Sequence, residues 1–323
     1  MSTTSSILTI DFAKHVAKGL LAPLAHLSSQ YIYDEQGSKL FQQIMSLESY
    51  YLTDCEYEIL KASASKLRRQ FSCDGQERFE LVELGAGDGY KTKLLLKDFT
   101  ENGTDFSYRP VDISDDILKE LEEDLAQQFP SLEVEPLHAS YMEALDSLQA
   151  SPDIRRVILF LGSNIGNFSF DAANDFVGKI ADRMHTGDYF ILGIDLRKNP
   201  RTILAAYDDN LGVTAKFNLN LLHRINRELG GNFDVNSWAF YPLYNPETGE
   251  VRSYLYPKTD QHVSIPELGV ERTFTVGEVI HTEVSRKYSK TELGLLGKAH
   301  GLQRVDMLLD NRGYFADVIY LKQ

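Results

Sequence analysis

The chain has 323 residues, 43% hydrophobic and 25% charged, enough for one large or two smaller domains with real cores. A formal net charge of −14 argues against a protein that wraps nucleic acid and leaves small molecules or proteins as partners. Two cysteines, Cys55 and Cys73, are too few for a disulfide framework and match no metal spacing. No apolar run approaches the ~20 residues of a membrane span, and Met1 to Ser6 lack a signal peptide's basic start. The expectation is a cytoplasmic protein without a metal.

Residues 7–28 read as a mildly amphipathic helix interrupted near Pro23. A Gly37-Ser38 turn leads into a second helix through Leu40, Phe41, Ile44 and Met45. Thr53 is placed to cap a third, Asp54 to Leu67, with Glu56 three residues on. This opening has no strand alternation and reads as a helical layer. From Phe79 strands and helices alternate. Strand 81–84 precedes helix 91–99, strand 107–111 ends in Asp112, and helix 115–128 leads to a strand near 132–136. The apolar run 157–161, helix 170–184 and strand 189–194 follow, before Asp195.

That succession predicts an α/β fold, a mostly parallel sheet with helices on both faces. Ligands of such sheets sit beyond the carboxyl ends of the strands, where Gly85, Asp112, Gly162 and Asp195 fall. After Asp195 the rhythm breaks into helical stretches 202–209 and 213–229, then alternating segments 238–243 and 251–256 that suggest an antiparallel sheet. Helix 290–299, a strand near 303–309 and the apolar stretch from Tyr314 return to the first pattern. The expected division is 61–195 with 287–323 for one domain and 1–60 with 196–286 for a smaller one.

The turn after strand 81–84 is Gly85-Ala86-Gly87-Asp88-Gly89-Tyr90-Lys91-Thr92. A phosphate-binding G-x-x-x-x-G-K-[ST] loop needs glycine where Tyr90 stands, and so does a dinucleotide G-x-G-x-x-G. Glu83 and Asp88 also place negative charge where a triphosphate would lie, whereas a cofactor with a sulfonium and an amino group tolerates acids there. Asp112, 23 residues past Gly89, is suited to the two hydroxyls of a ribose, or to capping the next helix, as is Ser114. Gly162-Ser163-Asn164-Ile165-Gly166-Asn167 offers close backbone approach and amide side chains, or else an ordinary turn with Asn167 or Ser169 as the cap. Strand alternation puts Glu283 and Ser285 on one face, able to hold a hydrogen-bonding ring or simply to be solvated.

Taken together, the motifs resemble one family, the S-adenosylmethionine-dependent histidine Nα-methyltransferases of ergothioneine biosynthesis. The likeness rests on Tyr33-Asp34-x-x-Gly37-Ser38, Tyr50-Tyr51-x-Thr53, Glu83-Leu84-Gly85-x-Gly87 and Lys91-Thr92. It continues through Gly162-x-x-Ile165-Gly166-Asn167, Ala206-Tyr207-Asp208-Asp209, Phe217-Asn218 and Thr282-Glu283-x-Ser285. The resemblance implies a class I methyltransferase (Rossmann-like) domain with a smaller α+β substrate domain, and S-adenosylmethionine as cofactor. It implies that Gly85, Lys91, Asp112 and Gly162 hold that cofactor, with Ser140 and Tyr141 at the adenine position. Tyr33, Asn167 and Tyr207 would hold the α-amino and carboxylate groups of the acceptor, with Phe41 nearby, Tyr33 and Asn167 acting on the reacting amine. Tyr50, Glu283 and Ser285 would read the imidazole.

The implied activity is methylation of L-histidine at its α-amino group, three times, to hercynine, with no obligate protein partner. The alternatives are the same reaction on another acceptor such as tryptophan, and a protein that binds the cofactor without catalysis. Ser140-Tyr141 stands where the family commonly has Asp-Phe, Asn164 where it often has Thr, and Ser253 where it has an apolar residue.

Overall fold

The computed structural model describes residues 3–75, 77–147 and 154–323. In chain order come helices α1 (Thr3–Leu21), α2 (Glu35–Met45) and α3 (Tyr51–Phe71), then β1 (Phe79–Leu84), α4 (Lys93–Glu101), β2 (Phe106–Asp112) and α5 (Asp115–Gln128). Next are β3 (Glu133–Val134), β4 (Leu137–His138), α6 (Tyr141–Ser147), β5 (Arg155–Phe160), α7 (Phe170–Ala181) and β6 (Tyr189–Asp195). Helices α8 (Pro200–Ala205) and α9 (Val213–Leu229) precede β7 (Trp238–Asn245), β8 (Glu250–Pro257), β9 (Gln261–Ile265), β10 (Val270–Phe274) and β11 (Ile280–Arg286). The chain closes with α10 (Lys290–Lys298), β12 (Leu302–Leu309) and β13 (Phe315–Lys322). It divides into two compact units, Leu52–Arg197 with Arg286–Gln323 and Met1–Tyr51 with Lys198–Ser285. The first break falls between Tyr51 and Leu52, at the start of α3.

In the first unit the strand order is β12-β13-β6-β5-β1-β2-β3, with β4 also on β2. Strands β6, β5, β1, β2 and β3 run parallel, and β13 sits antiparallel between β12 and β6. This is the class I methyltransferase (Rossmann-like) α/β arrangement. Every residue of β1 is buried, because helices cover both faces. Alternation sorts the residues: Leu81, Leu159, Ile191 and Ile319 join one apolar cluster with Leu60, Leu67 and Phe71 of α3, while Val82, Ile158, Phe190 and Val318 join the other with Val177 and Ile180 of α7.

The second unit has a three-stranded sheet β11-β8-β7 and a β9–β10 pair around a core of Phe12, Leu40, Phe217, Leu221, Trp238 and Leu255. Asp34 caps α2 by accepting the Gly37 amide (2.8 Å), and it also accepts from Asn220 (2.7 Å) and Arg227 (2.6 Å) of α9. Burial alone would raise its carboxyl, but the Gly37 amide, Arg227 and Asn220 hold it below the usual range. Gly37 and Ser38 therefore lie inside the first turn of α2 and do not form a turn before it. Glycine is required at 37 because a Cβ there would stand 1.8 Å from the Ile32 carbonyl oxygen. Thr53, likewise, lies within α3 and does not cap it. Among the described residues no helix is long and apolar enough to cross a membrane.

Candidate active site

At the carboxyl end of β1, Gly85, Gly87 and Gly89 all take positive φ (+78°, +55°, +63°), a backbone course that side-chain-bearing residues rarely follow. Their surroundings differ. A Cβ on Gly85 would meet the Tyr141 hydroxyl at 3.0 Å, and one on Gly89 would meet Leu121 of α5 at 2.8 Å. Among the described residues nothing lies within 4 Å of a Cβ on Gly87. The outer glycines pack, and the middle one opens onto space that a ligand would fill. The Gly85 and Ala86 amides donate to the Val111 carbonyl (2.8 and 3.1 Å), which ties the turn to the end of β2.

Asp112 ends β2 and accepts the Gly87 amide (3.1 Å) with one oxygen and the Ser114 amide (3.0 Å) with the other. Ser114 caps α5 by accepting the Ile117 amide (3.4 Å), so the capping role belongs to the serine and the aspartate is fixed beside the glycine turn. A carboxylate oriented by two amides retains further lone pairs for ribose hydroxyls. Tyr141 packs edge-on against Phe160 (5.4 Å) and Phe176 (6.0 Å), and burial pushes its hydroxyl up to about 12. The Ser140 hydroxyl donates to Glu143 (2.6 Å) in the first turn of α6.

Glu83 does not face the ligand space as the charge argument expects. It is buried, accepts from the Thr92 hydroxyl (2.6 Å) and from Tyr108, and burial raises it to about 7. Tyr90, which excludes the phosphate loops, is exposed and stacks on Tyr57 (5.2 Å).

After β5, Gly162 (φ +77°) and Ser163 (φ +60°) make the turn, with the Ser163 hydroxyl accepting the Asp195 amide (3.0 Å). A Cβ on Gly166 would be 2.8 Å from the Arg286 carbonyl oxygen, so close backbone approach requires that glycine. Asn167 ends a short 3-10 turn, and the cap of α7 is Ser169, which accepts the Ala172 amide (3.3 Å). Lys91 pairs with the fully buried Glu56, whose two oxygens also accept the Gly162 amide (2.9 and 3.0 Å). Glu56, which the sequence reading takes only for part of a helix cap, thus ties α3 to Lys91 and to the turn at Gly162.

In the second unit Tyr33, Phe41 and Tyr50 form an aromatic group: Phe41 packs edge-on with Tyr33 (5.5 Å) and Tyr50 (6.2 Å). Phe217 of α9 joins them, 5.3 Å from Tyr33 and 5.9 Å from Phe41, and its place in the Phe217-Asn218 motif was its one sequence signal. The buried Tyr207 hydroxyl donates to Ser285 Oγ (2.8 Å). Glu283 is half-buried on β11, and its neighbour Thr282 donates to Asn218 (2.8 Å). Ser253 is buried on β8, and among the described residues its hydroxyl has no partner.

The open space over Gly87, the amide-fixed Asp112 and the Tyr141 ring suit a nucleoside without phosphates, and so fit S-adenosylmethionine. Among the described residues no group of His, Cys, Asp or Glu is placed to hold a metal ion.

A family model described as histidine-specific methyltransferase, SAM-dependent, matches residues 12–322. A histidine N-alpha-methyltransferase of Mycolicibacterium smegmatis is 32% identical over 94% of this chain and 92% of its own length. One of Mycobacterium tuberculosis is 33% identical over the same shares. An L-tryptophan methyltransferase of Psilocybe serbica is 27% identical over 93% of this chain and 90% of its own.

Proposed function

We propose, for a chain that belongs to the S-adenosylmethionine-dependent histidine-specific methyltransferases, that it methylates the α-amino group of L-histidine three times, giving hercynine for ergothioneine biosynthesis. The observation that carries the acceptor is in the second unit. There the Tyr207–Ser285 hydroxyl pair, Glu283 and the aromatic group of Tyr33, Phe41 and Tyr50 occur in one compact body. A carboxylate and a hydroxyl suit the two nitrogens of an imidazole, whereas an indole has one donor and favours an apolar lining.

S-adenosylmethionine, when bound, supplies an electrophilic methyl on a sulfonium. Gly85, Lys91, Asp112, Tyr141 and Gly162 hold it in this reading, and Ser140 contributes through the cap of α6. The protein's remaining work is orientation. The attacking amine has to be neutral, and since a free α-amino group titrates at ~7.7–8.0, loss of its proton needs no strong base. In this reading Tyr33 points the lone pair, Tyr207 holds the carboxylate, and Tyr50, Glu283 and Ser285 fix the ring. Tyrosine faces favour the ammonium that grows as methyls accumulate.

Incubation with cofactor and a panel of amino acids, followed by mass spectrometry, tests this directly. Histidine should gain one, two and then three methyls; gains on tryptophan instead, or on nothing, overturn the assignment. Glu283→Ala should weaken histidine binding at least tenfold, about 1.4 kcal/mol, and leave S-adenosylhomocysteine binding unchanged by calorimetry. Equal loss of both ligands would count against its role.

A further inference from the structure

The carboxyl ends of β5 and β6 and the amino end of β13 hold two buried acids, Glu56 and Asp317, that no part of the mechanism above uses. Glu56 comes from α3 and is fully buried, as is Asp317 on β13. Register places Asp317 directly beside Gly193 of β6. A Cβ on Gly193 would lie 1.9 Å from Glu56 Oε1, so the absence of a side chain there is what admits the glutamate. Paired residues on neighbouring strands point to the same face, which puts Asp317 on the face that Glu56 enters.

The partners are unequal. Glu56 has the Lys91 ammonium and the Gly162 amide, while among the described residues no donor reaches either oxygen of Asp317. Two buried carboxylates against one lysine would leave a net charge without water, which is far costlier than retaining a proton. Burial, reinforced by the Glu56 charge, accordingly holds the Asp317 carboxyl well above the ordinary range. The other ionisable groups nearby are accounted for: Glu83 on β1 is bonded to Thr92 and Tyr108, Asp195 on β6 pairs with Lys287 (2.9 Å), and Cys55 on α3 is hydrogen-bonded to Arg312 (3.1 Å).

Strand order says what the cluster adjoins. Asp112 marks the ribose side at β2, and the order β2-β1-β5-β6 carries the other end of an extended nucleoside ligand toward Gly162 and Lys91. We infer that Glu56 and Asp317 share one proton and act as a positioning pair, fixing the Lys91 ammonium and the Gly162 amide at the end of the cofactor site that receives the amino-acid portion of S-adenosylmethionine. This inference rests on the cofactor site proposed above. Neither acid touches the reacting atoms. With one proton between them they hold the lysine without adding net charge to the core.

The test uses the full chain and S-adenosylhomocysteine. Infrared spectra of the ligand-free protein at about pH 8.5, above the ordinary carboxylate range and above Glu83, should show a protonated carboxyl band. Asp317→Asn should lose the band and Glu83→Gln should keep it. By calorimetry Asp317→Asn, which carries a permanent hydrogen in place of the shared proton, should bind within about threefold of wild type at neutral pH and decline less steeply on the alkaline side. Glu56→Gln should bind at least tenfold more weakly, with the cofactor KM rising more than kcat falls. A missing band in wild type overturns the shared proton even if both variants fail to fold. Wild type that binds, alongside a Glu56→Gln variant that binds equally well, overturns the positioning role alone. No binding by wild type overturns the cofactor site and this role with it.

Discussion

In the unit with the parallel sheet the groups proposed to face the cofactor are largely backbone: the open turn at Gly87, the amides that fix Asp112, and the amide of Gly162 held by Glu56. In the other unit the groups proposed for the acceptor are side chains drawn from distant segments, with Tyr33, Phe41 and Tyr50 beside Phe217, and Tyr207 bonded to Ser285 across 78 residues of chain. A backbone site needs glycine at fixed spacings next to a strand, and that pattern is local. A side-chain site needs no local pattern at all. The two units should therefore respond differently to substitution, and the sharpest contrast is at Gly87.

Gly87→Ala puts a methyl into the open space at φ +55°, so its cost to folding is about 1–2 kcal/mol of left-handed strain. Its cost to S-adenosylhomocysteine binding should be several hundredfold, about 3.4 kcal/mol. Gly103→Ala is the matched control, with φ +63° and nothing within 4 Å of its Cβ, but in the turn after α4. It should melt like Gly87→Ala and bind like wild type. Parallel calorimetry and thermal melts on the two variants decide it: equal affinities would mean that Gly87 serves the turn and not a ligand.

Glu83 stands at the edge of this contrast, since it belongs to the glycine motif yet faces inward. Its carboxyl stays protonated in the fold to about pH 7, whereas in the unfolded chain it ionises near ~4.3. The unfolded state thus releases its proton first, and the folded protein loses stability as pH rises between those values. Glu83→Gln has no such dependence. The stability of wild type relative to this variant should fall by about 2–3 kcal/mol between pH 4.5 and 7 and then level, as read by denaturant unfolding at each pH. Were the carboxyl a cofactor ligand, the substitution would act on S-adenosylhomocysteine affinity and leave that pH profile alone.

These contrasts also show where the sequence is informative. The parallel sheet was legible because apolar runs such as Val157 to Leu161, which falls on β5 up to Phe160, are short and separated by amphipathic helices. Helix α5 matches its expected bounds, 115–128, since Ser114 and the acidic first turn mark its start. The start of α3 was not legible: Thr53 has the chemistry of a cap, but the helix begins two residues earlier. Glu83 misleads for a different reason, because charge beside a glycine turn carries no information about direction, and its burial depends on Tyr108 from the neighbouring strand. Glu56 and Asp317 were invisible because what joins them is the register of β6 and β13 and the missing side chain at Gly193. The residues proposed for the acceptor come from family resemblance, and no spacing rule would have found Tyr207 with Ser285.

That last pair supplies the mildest test. Tyr207→Phe keeps the ring in its buried place and removes one hydroxyl donor 2.8 Å from Ser285 Oγ. A neutral hydrogen bond is worth about 0.5–1.5 kcal/mol net, so histidine affinity should fall by roughly fivefold, or about 1 kcal/mol. Because Tyr207 and Ser285 belong to one compact unit and Gly85, Asp112 and Gly162 to the other, S-adenosylhomocysteine affinity should not move. Tyr207→Ala, which also removes the ring, should lose histidine affinity further and still spare the second ligand. If Tyr207→Phe weakened both ligands alike, the hydroxyl would be acting on the whole site through folding, and donor and acceptor recognition would not be separable by unit.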